Sequence, residues 1–320
     1  RRIGHRSSFP VACGARHSYF GNDALEKFAP GLKTIPDALE IRRRFLSAFE
    51  EAEKAETQAE RDAWMTFVIV GGGPTGCELA GVLPEIAKKA MHPDFRRIDT
   101  NRTRVVLVEN SPRPLNAFAD DLAEIAVRDL TRLGVEFRFQ VKATQIDENG
   151  VTLSDGEHIP AKTVLWAAGN QAAPIGAALG VERDRAGRIP VNPDLSVPGH
   201  PNIFVIGDMA SASWGDPGLV PAVAQGATQG GAHVARMIRK RLSGEDGEPF
   251  VYKDLGNLAV LGRGHAVADV AGKRFSGLSA WLFWLFLHVL KLVGFRNRAS
   301  VLIQWAYNYL ASQRGVRLIR

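Results

Sequence analysis

Phe67-Val68-Ile69-Val70 is a wholly apolar run that ends at Gly71. A short apolar run meeting a glycine turn predicts a strand buried on both faces. Helical spacing follows from Pro74 to about Ala90. Arg104 to Glu109 (RVVLVE) then predicts a second buried strand, Asp120 to Leu133 a second helix, and Val135 to Phe139 a third strand. Val151-Thr152-Leu153 and Glu157 to Ile159 flank Asp155-Gly156, a hairpin signal, and Val164 to Ala168 closes this unit at Gly169. The alternation of strand, glycine turn and helix predicts an α/β chain with a Rossmann-like, doubly wound sheet.

Ahead of this unit, Pro30 to Lys33 predicts a loop and Ile35 to Arg61 one long helix. Leu39, Phe45, Leu46 and Phe49 supply its apolar spacing, and Glu50, Glu51, Lys54, Glu56, Glu60 and Arg61 its solvated face. Behind it, Asn202 to Ile206 predicts a strand ending in Gly207-Asp208, and about Pro221 to Arg241 a helix. Gly244 to Gly247 reads as a polar linker. Beyond Phe275 come two apolar helical stretches, Leu278 to Val293 and Ala299 to Ala311, split by Gly294 to Arg298. Tandem repeats and low-complexity tracts are absent from the sequence.

Composition narrows the class. Apolar residues make up 45% and charged residues 23% of 320 residues, near globular averages, which excludes disordered, collagen-like and polytopic membrane chains. At roughly 150 residues per domain the length suggests about two domains. Cys13 and Cys77 are the two cysteines, so there is no disulfide framework, redox dithiol or zinc knuckle, and the chain reads as inward-facing or intracellular. The eight histidines show no metal-ligand spacing. Cys77, inside the helix after the glycine turn, reads as a small buried residue.

The net charge of +6 is local rather than general. From Val270 onward there are eight basic residues (Lys273, Arg274, Lys291, Arg296, Arg298, Arg314, Arg317 and Arg320) and no Asp or Glu, while the preceding 269 residues carry 32 basic and 34 acidic side chains. Basic charge interleaved with Trp, Phe and Leu fits an anionic membrane surface rather than a phosphate backbone, so no nucleic-acid partner is expected. Leu278 to Leu290 is too short to span a bilayer, which takes about 20 apolar residues. Trp281, Phe283, Trp284 and Phe286, with Trp305, Tyr307 and Tyr309 of the second helix, suit the headgroup boundary. A buried helical hairpin or a dimer face is the competing reading of this segment.

Gly71, Gly73 and Gly76 form G-x-G-x-x-G between an apolar strand and a helix, the context that makes this motif a dinucleotide site. Gly71 permits the tight turn, Gly73 lets a diphosphate approach the backbone, and Gly76 lets the helix pack closely. Glu109, at the end of the second strand, is the acid expected on the adenosine ribose. It stands 33 residues beyond Gly76, against about 20 in the usual fingerprint, and the polar insertion Lys88 to Arg102 explains the excess. A carboxylate there repels a 2′-phosphate and favours NADH over NADPH, while Arg113 four residues on is the feature that argues the other way.

The segments Cys13 to Asp23 (CGARHSYFGND), Gly71 to Gly81 (GGGPTGCELAG), Asn202 to Asp208 (NIFVIGD) and Pro221 to Gln229 (PAVAQGATQ) occur in one order, followed by the amphipathic tail. From about Cys13 to Arg320 the chain resembles the type II NADH:quinone oxidoreductases, single-subunit, non-proton-pumping flavoenzymes of the pyridine nucleotide-disulfide oxidoreductase superfamily.

The resemblance implies two dinucleotide-binding domains, an FAD domain split in sequence and an NADH domain inserted into it. It divides the chain into 1–62 (a remnant of the first FAD segment and a connecting helix), 63–175 (the NADH domain), 176–255 (the second FAD segment) and 256–320 (a membrane-associating region). Gly14, Gly207, Asp208 and Ala222 would contact FAD, with Gly71, Gly73, Gly76, Glu109 and Gly169 serving NADH. Gln225 and Gln229, on one helix face, would line the quinone edge of the flavin, and Glu78 would lie near the face where nicotinamide stacks. Electrons would pass from NADH through FAD to a membrane quinone. The implied location is peripheral, on the cytoplasmic face of a bacterial inner membrane or on the mitochondrial inner membrane of a eukaryote, and a homodimer stays open.

The family opens its FAD domain with a further strand and G-x-G-x-x-G well before the Gly14 motif. Arg1 to Ala12 do not resemble that element, and Arg1 to Phe9 match neither a signal peptide nor a periodic element. The expectation is an N-terminally truncated sequence, without the first FAD-binding βαβ. Two alternatives stay open: a membrane-associated, NADH-binding fragment that turns nothing over, or a related flavin-dependent NAD(P)H reductase. The absence of any paired cysteines argues against a disulfide reductase.

Overall fold

Every position of Thr66–Val70 is buried, which is why its sequence runs apolar without alternation. In the computed structural model, which describes residues 8–91, 94–213 and 218–311, this strand lies inside a four-stranded parallel sheet. Of Ala90 and residues 308–311 only the backbone is described. His5, His92, Arg314, Arg317, Arg320 and the Tyr309 side chain lie outside the described residues. In chain order the α-helices are α1 Ile35–Lys54, α2 Gln58–Trp64, α3 Pro74–Glu85, α4 Asp120–Leu133, α5 Ala224–Leu242, α6 Leu278–Lys291 and α7 Phe295–Ala311.

The chain divides into two compact units. The larger joins Tyr19–Ala168 to the chain from Gly256 on. Its sheet runs in the order Val135–Phe139, Arg104–Glu109, Thr66–Val70, Thr163–Trp166, with every neighbouring pair parallel. Alternate residues serve opposite faces. Phe67, Ile69 and Leu107 pack beneath α1, α3 and α4 with Phe45, Phe49, Leu122 and Leu130. Val68, Val70, Val106, Val108 and Trp166 pack against an antiparallel sheet of Ala143–Asp147, Gly150–Leu153 and His158–Pro160. Phe49 and Phe67 are fully buried, each contributing about 2–3 kcal/mol.

A third sheet, Asn257–Gly262, His265–Val270 and Lys273–Ser276, is antiparallel and packs against α3. One of its faces (Ala259, Leu261, Val267) joins the core beneath α1 and α3. The other (Leu258, Val260, Ala266, Ala268) packs on Ala280 and Trp281 of α6.

The smaller unit holds the chain up to Ser18 with Gly169–Leu255. Phe9–Val11 pairs parallel with His200–Val205, which pairs antiparallel with Ser196–Val197. Ala15–His17 pairs antiparallel with Asn170–Ala172. Leu195, Phe204, Val205 and Met209 form the core beneath Val234 and Met237 of α5.

Several elements depart from the sequence expectations. The single helix over 35–61 is two: α1 ends at Lys54, and Thr57 starts α2 with a capping box to Glu60. Leu39 is exposed, and Ile41 takes the core face instead. The helix expected to run to Ala90 is α-helical only to Glu85 and widens into a π-type turn over Ile86–Met91. Pro84 explains this, since it carries no N–H for the ladder. Phe9–Val11, assigned to no element from the sequence, is a strand. Phe295–Arg298, expected to separate two helices, already belongs to α7.

Candidate functional site

The apolar strand Thr66–Val70 delivers Gly71 to the carboxyl edge of the parallel sheet, where ligands of such folds bind. Gly71 has φ +110°, and a Cβ there would stand 2.7 Å from the Ala168 backbone nitrogen. A Cβ on Gly76 would fall 1.8 Å from the Gly71 carbonyl oxygen, so only glycine lets α3 begin this close to the turn. A Cβ on Gly73, in contrast, would meet nothing within 4 Å. Gly73 is the N-cap of α3, no side chain caps it, and Pro74 follows. The turn therefore presents open space in front of uncapped helix N–H groups, the arrangement that receives a diphosphate.

Glu109 ends its strand beside this turn. Its Oε2 accepts from Gly72 N at 2.6 Å and its Oε1 from Ser111 N at 2.8 Å. Backbone donors hold the carboxylate half-buried with further lone pairs free to accept from a vicinal diol. Gly72 and Ser111 are parts of this site that sequence reasoning missed, because they act through backbone N–H groups. Arg113 is turned to other work: it pairs with Asp120 at 2.7 Å and donates to the Phe118 carbonyl at 3.1 Å.

Glu78 sits on α3 against the third sheet, where its Oε1 accepts from Val260 N at 3.5 Å. Burial pushes its carboxyl above the usual range, against smaller opposing effects of that N–H and of His288. Cys77 is fully buried, its Sγ donates to the Gly72 carbonyl at 3.5 Å, and desolvation drives its thiol far up, the opposite of a reactive thiolate. Gly81, a helix-interior glycine visible in the sequence, went unassigned there. A Cβ on it would stand 2.0 Å from the Leu261 carbonyl oxygen.

In the smaller unit, Gly14 and Gly169 adopt φ +70° and +69°. The Gly14 carbonyl accepts from Ala173 N at 3.0 Å and that of Gly169 from Ser18 N at 3.3 Å. Gly207 has φ +66°, and a Cβ on it would stand 3.0 Å from the Ala227 side chain of α5. The N-terminus of α5 has no side-chain cap and no acidic residue in its first turn. Gly207, Pro221, Gly226, Val220 and Phe250 line a shallow pocket open to solvent. Asp208 is half-buried and makes no hydrogen bond or ion pair among the described residues. An available carboxylate, a close glycine turn and an uncapped helix start fit the hydroxyls and phosphate of a ribityl chain, and Ala222 lies half-buried in the adjoining loop. Among the described residues a G-x-G-x-x-G turn between strand and helix occurs once, at Gly71–Gly76.

Gln225 and Gln229 share one face of α5, as their spacing implies, but their amides are already engaged. Gln229 Oε1 accepts from Lys253 N at 2.9 Å while its Nε2 donates to the Lys253 carbonyl at 2.8 Å. Gln225 Oε1 accepts from Leu255 N at 2.8 Å and its Nε2 donates to Asp254 at 3.2 Å. The pair fastens the segment 253–255 to the helix, where the sequence suggested amides presented to a ligand. Glu78 belongs to the other unit.

The C-terminal helices also sort differently from expectation. Leu278, Leu282, Phe286 and Leu290, four residues apart, form an exposed stripe along α6. Of the four α6 aromatics expected at a headgroup boundary only Phe286 lies on it. Phe283 packs edge-on against Phe275, Trp281 covers the third sheet, and Trp284 stacks on His288 and Trp305. Ile303 and Tyr307 of α7 are exposed. Among the described residues no helix is long and apolar enough to cross a membrane, and no cluster of His, Cys, Asp or Glu could hold a metal ion.

The family model "Pyridine nucleotide-disulphide oxidoreductase" matches residues 11–231, and "NDH2 C-terminal domain" matches 255–314. The chain is 43% identical to the type II NADH:quinone oxidoreductase Ndh of Mycobacterium tuberculosis over 98% of its own length and 70% of that protein. To NdhA of the same organism it is also 43% identical, over 96% of its length and 67% of the relative. Its fold matches a solved structure of NDH2 from Plasmodium falciparum in complex with NADH, with TM-score 0.85, 18% identity and coverage of 98% and 79%.

Proposed function

The chain belongs to the type II NADH:quinone oxidoreductases, and from that premise we propose that it takes electrons from NADH and delivers them to a membrane quinone. The open start of α3 at Gly73, with Glu109 beside it, carries this reading. The α3 N-terminus binds the diphosphate, and Glu109 accepts from the adenosine ribose diol. Because Arg113 is committed to Asp120 and Phe118, no cation at that position offsets the repulsion between Glu109 and a 2′-phosphate, which selects NADH.

FAD, when bound, supplies the redox chemistry that links this donor to a quinone. Gly207, Asp208 and Ala222 hold its ribityl-phosphate region with the uncapped start of α5, and Gly14 and Gly169 shape the same unit's loops. Gln225 and Gln229 face the acceptor side and position Lys253–Leu255 there. Glu78, a carboxyl raised by burial, provides a proton-holding group near the nicotinamide face.

The α6 stripe and the acid-free basic C-terminal segment lay the protein on an anionic membrane surface, as a peripheral protein of the cytoplasmic face or its mitochondrial equivalent. A homodimer through the same apolar stripe is the competing use of that surface. The deciding experiment reconstitutes the purified chain with FAD under nitrogen and adds NADH, then a short-chain quinone. Bleaching of the flavin band by NADH and its return on adding quinone are expected. NADH binding without bleaching would assign this chain to nucleotide binding without turnover.

A further inference from the structure

The turn Tyr19-Phe20-Gly21-Asn22 closes with Asn22 N donating to the Tyr19 carbonyl at 3.0 Å. Phe20 has φ +52° and Gly21 φ +90°, positive at both central positions. Such turns favour Asn, Asp or Gly at the first of these positions, because a Cβ is strained there. Phe20 is not small, and its phenyl ring has no oxygen or nitrogen with which to bond the turn as an Asn or Asp side chain does. Core packing does not compensate the strain either, since the residue is 73% exposed. A strained backbone carrying an exposed aromatic marks a residue kept for something other than the fold.

Its location narrows what that is. The Phe20 ring lies 6.3 Å from the ring of Trp166, and Trp166 pairs in register with Val70, the residue just before the glycine turn. Phe20 therefore stands at the carboxyl edge of the parallel sheet, on the Thr163–Trp166 side. Glu109 lies on the opposite side of the central strand Thr66–Val70. With the adenosine ribose on Glu109 and the diphosphate at Gly73, the other half of the dinucleotide runs out past Thr163–Trp166.

We infer that Phe20 is a binding residue for the nicotinamide half of NADH, held in a strained turn so that its ring packs against the nicotinamide riboside. The inference rests on the reading that NADH occupies the Gly71–Gly76 turn. An aromatic face suits that ligand, since a flat, weakly hydrated ring gains from offset stacking where an aliphatic side chain would gain area alone.

The test compares Phe20→Gly and Phe20→Tyr in the full flavin-loaded chain by titration calorimetry with NADH and, separately, with AMP, which carries only the adenosine half. Phe20→Gly should weaken NADH binding roughly tenfold while AMP binding and the melting temperature hold or rise, glycine being unstrained at φ +52°. Phe20→Tyr should retain NADH affinity. Equal loss for NADH and AMP, or a fall in melting temperature, would make Phe20 a fold residue and overturn the inference. Unchanged NADH affinity would overturn it as well. Glu109→Ala is the control on the underlying reading: if it leaves both ligands' affinities untouched, the glycine-turn assignment fails, and not merely the role of Phe20.

Discussion

Gly81 of α3 and Leu261 of the third sheet approach so closely that a Cβ on the glycine would stand 2.0 Å from the leucine's carbonyl oxygen. Real Cβ atoms do not come this near, and both obstructing groups are backbone, so neither side can give way by changing rotamer. Gly81→Ala should therefore lift the sheet Asn257–Ser276 from α3 and destabilise the larger unit by about 1–3 kcal/mol. Thermal unfolding checks this, and an unchanged melting temperature would show that the sheet does not need so close an approach.

Glu109 holds the turn through Gly72 and Ser111, and in the proposed function it also accepts from the ribose. Glu109→Ala removes both and should weaken NADH binding by ~1–3 kcal/mol. Titration with NADH against NADPH gives the sharper readout, because loss of the carboxylate also removes the repulsion of the 2′-phosphate. The two affinities should converge, and a preserved preference for NADH would place nucleotide selection elsewhere.

Glu78 should make stability depend on pH. Burial raises its folded-state pKa above the ordinary value of 4.5, so the unfolded chain ionises first. Its favourable contribution is complete below 4.5 and is lost as pH rises through the higher folded value. Glu78→Gln, uncharged at every pH, should be more stable than the parent at neutral pH and lose that advantage toward pH 4.5. Chemical denaturation across this range decides it. A constant difference between the two proteins would mean that Glu78 does not titrate abnormally.

The stripe Leu278, Leu282, Phe286 and Leu290 is exposed to solvent. Leu282→Asp with Phe286→Asp should leave NADH binding and melting behaviour intact while lowering affinity for phosphatidylglycerol vesicles by at least about tenfold. Full vesicle binding by the double variant, with dimerisation lost instead, would give the stripe to a second copy of the chain.

How much of this was legible beforehand follows from where each element finds its partners. Arg104–Glu109, Asp120–Leu133 and Val135–Phe139 carry their boundaries in the sequence, because the first is apolar and buried from Val105 to Val108 between charged ends, the last alternates apolar and polar positions, and α4 ends at Gly134 in a left-handed conformation. The sheet Asn257–Ser276 was not legible. One face packs under α3 and the other under α6, so its residues show no alternation, and alanines fill much of both faces. Phe9–Val11 is three mostly exposed residues, recognisable only by the strand it pairs with.

The same distinction divides the site. By itself the sequence determined the glycine turn, the acid at the end of the second strand and the shared face of Gln225 and Gln229. Each depends on local geometry, on backbone freedom at glycine and on the spacing of a strand or helix. Tertiary structure alone decided what those groups touch: Arg113 on Asp120, the two glutamines on Lys253 to Leu255, and Glu78 buried against Val260. Gln225 meets Leu255 thirty positions along the chain, and Glu78 meets Val260 after 182. Hydrogen bonds act over about 3 Å of space whatever the separation along the chain, and no periodicity encodes which distant backbone the fold will bring within that reach.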